Sequence, residues 1–358
     1  MRRPPPESHD DVPAMTVLRE QERSGHASLH ASGDLDERMG AAMGDRLEDW
    51  RRYRSDWKRG AVERPFPLQI DFSLNDSCNM KCPMCTWSED SKRPTRRQFS
   101  LEHFTKIIAE AVPQGLCAVG LNGVNEPLMR RDLPDFVRAA HDLGVMDIML
   151  HTNGMLLNNT MARELIGAGL TRLFVSLDAV TQETYDKIRV GGNLAVVTMN
   201  IENFLAVRGD RTLPVLAVCF VRMSMNAHEE AAFMEQWRGI ADFFSMQSFM
   251  NPFAGERPEK EALASADRAP ARPFVCPQPF QRMRLSVTGD VHPCCSFYGD
   301  QIIAAPAWLQ APIGAVWRGP MRNIRLLHSS GDVWDESRKG SIAATCRACM
   351  RNSFTSVS

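Results

Sequence analysis

Three cysteines, Cys78, Cys82 and Cys85, fall within eight residues, in the run Asp76-Ser-Cys-Asn-Met-Lys-Cys-Pro-Met-Cys-Thr-Trp87. Three thiolates that close in sequence can converge on one metal centre. A structural zinc or a closed four-iron cluster takes four protein ligands, so three leave a coordination position open to a small molecule. A zinc knuckle is the competing reading of the triplet alone. A second set lies far downstream: Cys276, Cys294, Cys295, Cys346 and Cys349. Four of them suffice to close a cluster or a zinc ribbon, and spacing alone does not separate the two. Cys117 and Cys219 stand apart from both sets.

The compartment supports ligation over disulfides. The N-terminus, Met1-Arg-Arg-Pro-Pro-Pro, has no apolar stretch of the kind a secretion signal needs, and no later run approaches the ~18 apolar residues of a membrane span. A cytoplasmic protein is expected, where ten cysteines act as ligands, catalytic thiols or small core residues. Lys+Arg 42 against Asp+Glu 43 leaves a net charge of -1, which supplies no global attraction for nucleic acid or for a membrane surface.

The elements that position these thiols are readable from periodicity. Residues 1–33 are polar and Pro-rich and read as a disordered leader. Over 34–66, Met39, Met43, Leu47, Trp50, Tyr53 and Trp57 recur at spacings of three and four, one face of an amphipathic helix that either packs on the main domain or docks a partner. From 67 to 250, β-type runs (69–74, 118–121, 146–150, 172–177, 214–221, 243–249) alternate with helical patterns near 101–112, 132–143, 160–168, 194–207 and 227–239. Six β/α units in series predict an α/β fold with a parallel sheet, either doubly wound or a partial (β/α)6 TIM-like barrel. In a barrel the site lies at the C-terminal ends of the strands. Residues 251–275 read as a linker or lid, and 276–358 as a small C-terminal domain with a β-hairpin turning at Thr288-Gly-Asp290.

Cys-x3-Cys-x2-Cys directly after the first strand of such a barrel resembles the signature of the radical S-adenosylmethionine (SAM) enzymes. The resemblance implies a [4Fe-4S] cluster on Cys78, Cys82 and Cys85, with SAM bound to the fourth iron and reductively cleaved to a 5′-deoxyadenosyl radical. Met84 takes the place the family gives to a large apolar residue near the adenine. Gly123-Val-Asn125-Glu126-Pro resembles the segment that receives the SAM ammonium, with Asn125 in place of a glycine. Thr152-Asn153-Gly154 matches a family element at the end of the third strand, and is otherwise a plain turn. Ser176-Leu-Asp178 resembles the segment that contacts the SAM carboxylate and ribose. Arg189 matches an arginine that pairs with that carboxylate, a surface arginine being the alternative.

The downstream cysteines, with the Trp317-containing stretch 316–328 between them, resemble the shortened SPASM module called Twitch, which binds one auxiliary [4Fe-4S] cluster. Alignment with that module implies Cys276, Cys294, Cys346 and Cys349 as ligands, with Cys295 spare or exchanging roles with Cys294. Residues 34–66 are too short and too poor in strand patterns to resemble the peptide-binding module of peptide-modifying relatives.

These resemblances imply an oxidoreductase with two [4Fe-4S] clusters and SAM, served by a flavodoxin- or ferredoxin-type reductant. The favoured substrate is a small molecule, a sugar or aminocyclitol natural-product intermediate of antibiotic biosynthesis oxidised at a secondary alcohol carbon, as by twitch-type dehydrogenases. The alternatives are epimerisation, with Cys219 returning a hydrogen atom, and modification of a peptide. Cys219 is otherwise a core residue, as is Cys117. Arg222, Asn226 and Asn251 stand at strand ends as candidate substrate contacts. A metal-bearing scaffold without turnover is the reading from a different class.

Overall fold

A computed structural model of the chain describes residues 17–18, 33–88, 97–249, 251, 258–264, 274–296, 302–306, 311–338 and 342–352. Most of the expected leader and most of the 251–275 segment lie outside the described residues.

Nine strands form one sheet: β1 Val17–Leu18, β2 Gln69–Phe72, β3 Ala118–Leu121, β4 Asp147–Thr152, β5 Arg172–Ser176, β6 Val215–Arg222, β7 Phe243–Ser248, β8 Arg282–Leu285 and β9 Val291–His292. Their order is β1-β7-β6-β5-β4-β3-β2-β8-β9, parallel throughout except for the β8/β9 hairpin. From β2 to β7 every strand pairs with its neighbour in sequence. A doubly wound sheet reverses direction at a switch point; here there is no reversal, and the fold is an open, partial barrel. Helices α1 Gly33–Ala42 and α2 Leu47–Lys58 precede it. Its crossovers are α3 Leu101–Ala111, α4 Leu133–Asp142, α5 Asn159–Ala168, α6 Gln182–Ile188, α7 Leu194–Arg208 and α8 Glu230–Trp237. Then come α9 Pro258–Glu261, α10 Gln278–Gln281, α11 Ile313–Arg318, α12 Pro320–Ser329 and α13 Ile342–Asn352.

Strand alternation gives the sheet two chemically different faces. Outward, Ile70, Phe72, Val119, Leu121, Ile148, Leu150, Leu173, Val175, Leu216, Val218 and Phe220 join the crossover helices in the main core. Inward, Ala118, Met149, Phe174, Val215, Ala217, Cys219 and Phe243 meet Leu35, Met39, Trp50, Tyr53 and Trp57 from the two leading helices. The 34–66 segment is therefore two helices, not one, broken at a turn where Gly44 has φ +57, and it packs into the end of the barrel where the strands begin. Buried polar groups fix that plug. Tyr53 donates to Asp147 at 3.2 Å, Asp147 also pairs with Arg172 at 2.9 Å, and Arg54 pairs with Asp36 at 2.9 Å. With the strand-start end filled, the cavity opens where the strands end.

The C-terminal residues are joined closely to the barrel. The hairpin does turn at Gly289 (φ +86), where the Asp290 carbonyl accepts from Ser286 N–H at 2.9 Å. Its first strand does not start a separate sheet; β8 pairs in parallel with β2, Gln69 opposite Arg282 and Asp71 opposite Arg284. Trp317 is fully buried in the main core, donates to the Arg64 carbonyl at 3.0 Å and carries the Arg325 guanidinium 4.1 Å over its ring.

Candidate functional site

The loop leaving β2 carries the cysteine triplet into a cavity of about 340 Å³ at the strand C-termini. Cys78, Cys82 and Cys85 all line it. Each sulfur receives a donor: Met80 N–H reaches Cys78 at 3.5 Å, Trp87 N–H reaches Cys85 at 3.4 Å, and the Arg189 guanidinium reaches Cys82 at 3.8 Å. Met80, Met84, Ile188, Met223, Phe249 and Leu263 pack around the loop as an apolar shell. Burial pushes the Cys78 thiol up to about 12, and Cys82 and Cys85 add to the rise; those two thiols are raised as well, again mainly by burial. Three buried thiols that raise one another are a donor set suited to a cation that takes their protons.

The other expected residues divide into those that face the cavity and those that hold the first group in place. Met84, Gly123, Asn125, Glu126, Asn153, Ser176 and Arg189 line it. Gly123 lies against Ser73, whose hydroxyl occupies the space a Cβ would need. Asn125 donates to the Asn75 side chain, while its own Oδ1 is buried without a partner. The Glu126 carboxylate is filled from within the protein: Oε1 accepts from Leu128 N–H at 3.0 Å and the Thr152 hydroxyl at 2.7 Å, and Oε2 accepts from Asn153 N–H at 2.8 Å. It therefore ties the β3 loop to the end of β4. Asn153 extends the tie to the cysteine loop, donating to Asn79 at 2.7 Å. Gly154 has φ +78, and a Cβ there would sit 2.8 Å from Val197. The Thr-Asn-Gly segment is thus a required turn and a cavity wall at once.

Asp178 does not line the cavity. It is fully buried with φ +64, accepts from Val221 N–H at 2.6 Å and forms an ion pair with Arg189. Its effect on the site runs through Arg189, whose guanidinium it aims at Cys82; the Arg189 Nε has no partner among the described residues. Cys219 faces inward beside Ser176 and Ser245 in the sheet register, but it is buried beneath them and is not part of the lining. Burial pushes its thiol up to about 12. Asn226 is buried as a brace between Asp178 and Val221 carbonyls, Arg222 pairs with Glu230 at 3.3 Å, and Asn251 donates to Glu261 at 2.7 Å. These three are not among the cavity-lining residues. The described part of the 251–275 segment packs on the cysteine loop, with Lys260 donating to the Cys85 carbonyl at 3.3 Å.

The floor of the cavity was not anticipated. Gln69 and Asp71 of β2, His151 of β4, Ser245 and Gln247 of β7, Gln278 of α10 and Arg282 of β8 all line it. Gln69 donates to Asp71 at 2.6 Å and Arg282 pairs with Asp71 at 3.3 Å. His151 stacks on Phe174 at 4.1 Å with the rings 5° apart, and burial with the Arg282 charge holds it neutral, at about 4. The available signal was polar residues inside otherwise apolar strands, at alternate positions.

The second cysteine set is gathered at the edge of this floor. The Ser296 hydroxyl stands 3.6 Å from the Cys294 sulfur and 3.8 Å from that of Cys349. Burial, then Cys294, Cys349 and Cys346, raise the Cys276 thiol well above its ordinary value; Cys346 is raised by burial, Cys294 and Cys349. Cys295 points the other way: it lines the cavity and accepts from Arg282 at 3.2 Å. Among the described residues no three His, Cys, Asp or Glu side chains are placed to share one ion. A single ion draws its ligands to one point, whereas a four-iron cluster carries one thiolate per iron and holds them apart. The looser gathering suits the cluster.

Comparison with known proteins agrees with this geometry. The profile described as the Radical SAM superfamily matches residues 72–225. A probable GTP 3',8-cyclase from Methanococcus maripaludis strain C5 is 32% identical over 212 residues, which cover 57% of this chain and 68% of that protein. The GTP 3',8-cyclase of Limosilactobacillus fermentum is 35% identical over 127 residues, 35% of this chain and 38% of that one. Among solved structures, Streptococcus suis SuiB bound to precursor peptide SuiA aligns with a TM-score of 0.57 at 16% identity, covering 78% of this chain and 71% of that chain. At that identity the likeness is one of fold. Among the described residues no helix is long and apolar enough to cross a membrane.

Proposed function

Because the chain belongs to the radical SAM superfamily, we propose that it abstracts a hydrogen atom from a C–H bond of a small polar substrate and oxidises a secondary alcohol carbon of a sugar or aminocyclitol intermediate. When bound, a [4Fe-4S] cluster and SAM supply a 5′-deoxyadenosyl radical. Cys78, Cys82 and Cys85 would hold that cluster. Asn125 Oδ1, a buried acceptor without a partner, suits the SAM ammonium, and the Arg189 Nε, a buried donor without one, suits its carboxylate. Glu126 and Asp178 act as positioning residues for Asn153 and Arg189. Met84 and the apolar shell exclude water from the radical.

The observation that carries the reading is one cavity bounded by both cysteine sets, with a floor of amide, hydroxyl and imidazole groups. Such groups suit a substrate rich in hydroxyl or amino functions. Oxidation removes one hydrogen atom, one electron and one hydroxyl proton from the carbinol. The thiols of Cys276, Cys294, Cys346 and Cys349, at the rim, would hold the auxiliary cluster that takes the electron. GTP, the substrate class that names the cyclases, is the less suited: the lining arginines Arg189 and Arg282 are each paired with an aspartate, which leaves neither to neutralise a triphosphate. A second reading, epimerisation, is favoured by Cys295, a thiol on the cavity wall where Cys219 is not.

Anaerobic reconstitution followed by SAM, a one-electron reductant and aminocyclitol candidates tests the proposal. Formation of 5′-deoxyadenosine with a product lighter by a pair of hydrogens supports oxidation. An unchanged product mass with solvent deuterium gained selects epimerisation, and bound zinc with no SAM cleavage overturns the enzyme reading.

A further inference from the structure

The inner face of β8 carries two arginines. Met283 and Leu285 point outward into the main core, so Arg282 and Arg284 point inward by alternation, and both are buried. Arg282 has clear partners, Asp71 at 3.3 Å and the Cys295 sulfur at 3.2 Å. Arg284 sits one step further along, opposite His292 in the hairpin, two residues before Cys294. The acidic groups acting on it most strongly are Cys294 and then Cys295, with Asp71 behind them. A buried guanidinium keeps its proton, so this is a fixed positive charge facing the second cysteine set.

We propose that Arg284 tunes the second cluster as an electron acceptor, its charge holding that cluster's reduction potential high enough to draw an electron from a substrate radical in the cavity. The inference rests on the oxidative reading above. Four thiolates around a four-iron cluster make an anionic assembly whose reduced form carries one more negative charge than its oxidised form. A nearby cation stabilises the reduced form more, and net charge and burial are among the factors that set such potentials. Electrons balance simply: the substrate radical loses one electron and its hydroxyl proton, and the second cluster is reduced by one. Arg282 is the weaker candidate because Asp71 offsets its charge.

The test is an anaerobic redox titration of the reconstituted protein followed by electron paramagnetic resonance, with Arg284→Lys and Arg284→Gln beside the parent. Gln keeps hydrogen-bonding capacity and loses the charge. The second cluster of the Gln variant is expected to show at least a tenfold lower reduced-to-oxidised ratio at a fixed potential, a midpoint lower by about 59 mV. Lys is expected to stay nearer the parent, and the Cys78/Cys82/Cys85 cluster to be unmoved. An unchanged second midpoint in the Gln variant, or equal shifts in both clusters, overturns the inference. Loss of the second cluster from the Gln variant alone would assign Arg284 to assembly instead of tuning, which also overturns it. If the parent protein assembles only one cluster, the oxidative reading itself falls, a result separable from all of these.

Discussion

Replacing Glu126 by glutamine separates a positioning role from direct contact with a bound ligand. The carboxylate accepts three hydrogen bonds from inside the protein, two at Oε1 and one at Oε2. In Glu126→Gln one oxygen becomes an amide nitrogen. If Oε1 keeps its two donors, the new NH2 faces Asn153 N–H across 2.8 Å, donor against donor. A hydrogen bond to a charged group contributes about 1.5–3 kcal/mol, and the two that remain weaken when the acceptor loses its charge. Against this, burial holds the Glu126 pKa above its usual value, so removing the ionised form relieves some desolvation. The net loss should be about 2–3 kcal/mol. Thr152→Val, which removes one donor, should cost about 1 kcal/mol. Urea unfolding of the metal-free protein measures both, and SAM binding to the reconstituted protein is read in parallel. Parent-like stability in both variants, with SAM binding lost in Glu126→Gln, would refute the positioning role and return the carboxylate to the ligand.

Three further expectations concern metal content, acid stability and packing. Alanine at Cys78, Cys82 or Cys85 should remove about four of about eight irons per chain, and Cys294→Ala the other four, while Cys295→Ala keeps both sets; equal loss from Cys294→Ala and Cys295→Ala would contradict the assignment. His328 is buried with neither ring nitrogen partnered, and burial lowers it to about 4. Between pH 6.5 and 4 the unfolded chain therefore binds a proton that the folded chain refuses, and stability falls by about 1.4 kcal/mol per pH unit, roughly 3 kcal/mol in all. His328→Met should lack that part of the acid loss in urea titrations at stepped pH, and identical acid slopes would rule it out. Trp317→Ala should lower stability by about 3–5 kcal/mol, by loss of a fully buried ring and of its bond to Arg64, and a change under 1 kcal/mol in urea unfolding would contradict the packing described.

The parts legible in the sequence were those whose information is local. Cys78, Cys82 and Cys85 are neighbours along the chain, and the β/α alternation repeats within short windows, so the triplet and the barrel were both in reach. The helix at 182–188 was missed because seven residues give too few turns for periodicity. The break at Gly44 was missed because an apolar face at spacings of three and four can run across a short turn. Gln69, Asp71, His151 and Arg282 come from strands far apart in sequence and meet only when the barrel forms. Their trace was present as polar residues in strands that are otherwise apolar, and a buried polar residue is the informative exception. Cys294 and Cys295 were beyond spacing arguments altogether, since adjacent residues differ only in the direction each side chain takes.

The pairing of β8 with β2 joins positions more than 200 residues apart. Strands β2 to β7 are added in the order in which a ribosome delivers them, each beside its predecessor. The first of them, which leads into the cysteine triplet, nevertheless keeps one edge uncovered until residues 282–285 emerge. An exposed strand edge is a template for wrong partners, and long-range closure is slow. Nascent chains cut off before β8 should therefore show an unprotected β2 edge to hydrogen exchange and a tendency to self-associate. In the cell, the strand that begins the chemistry is the last to be sealed.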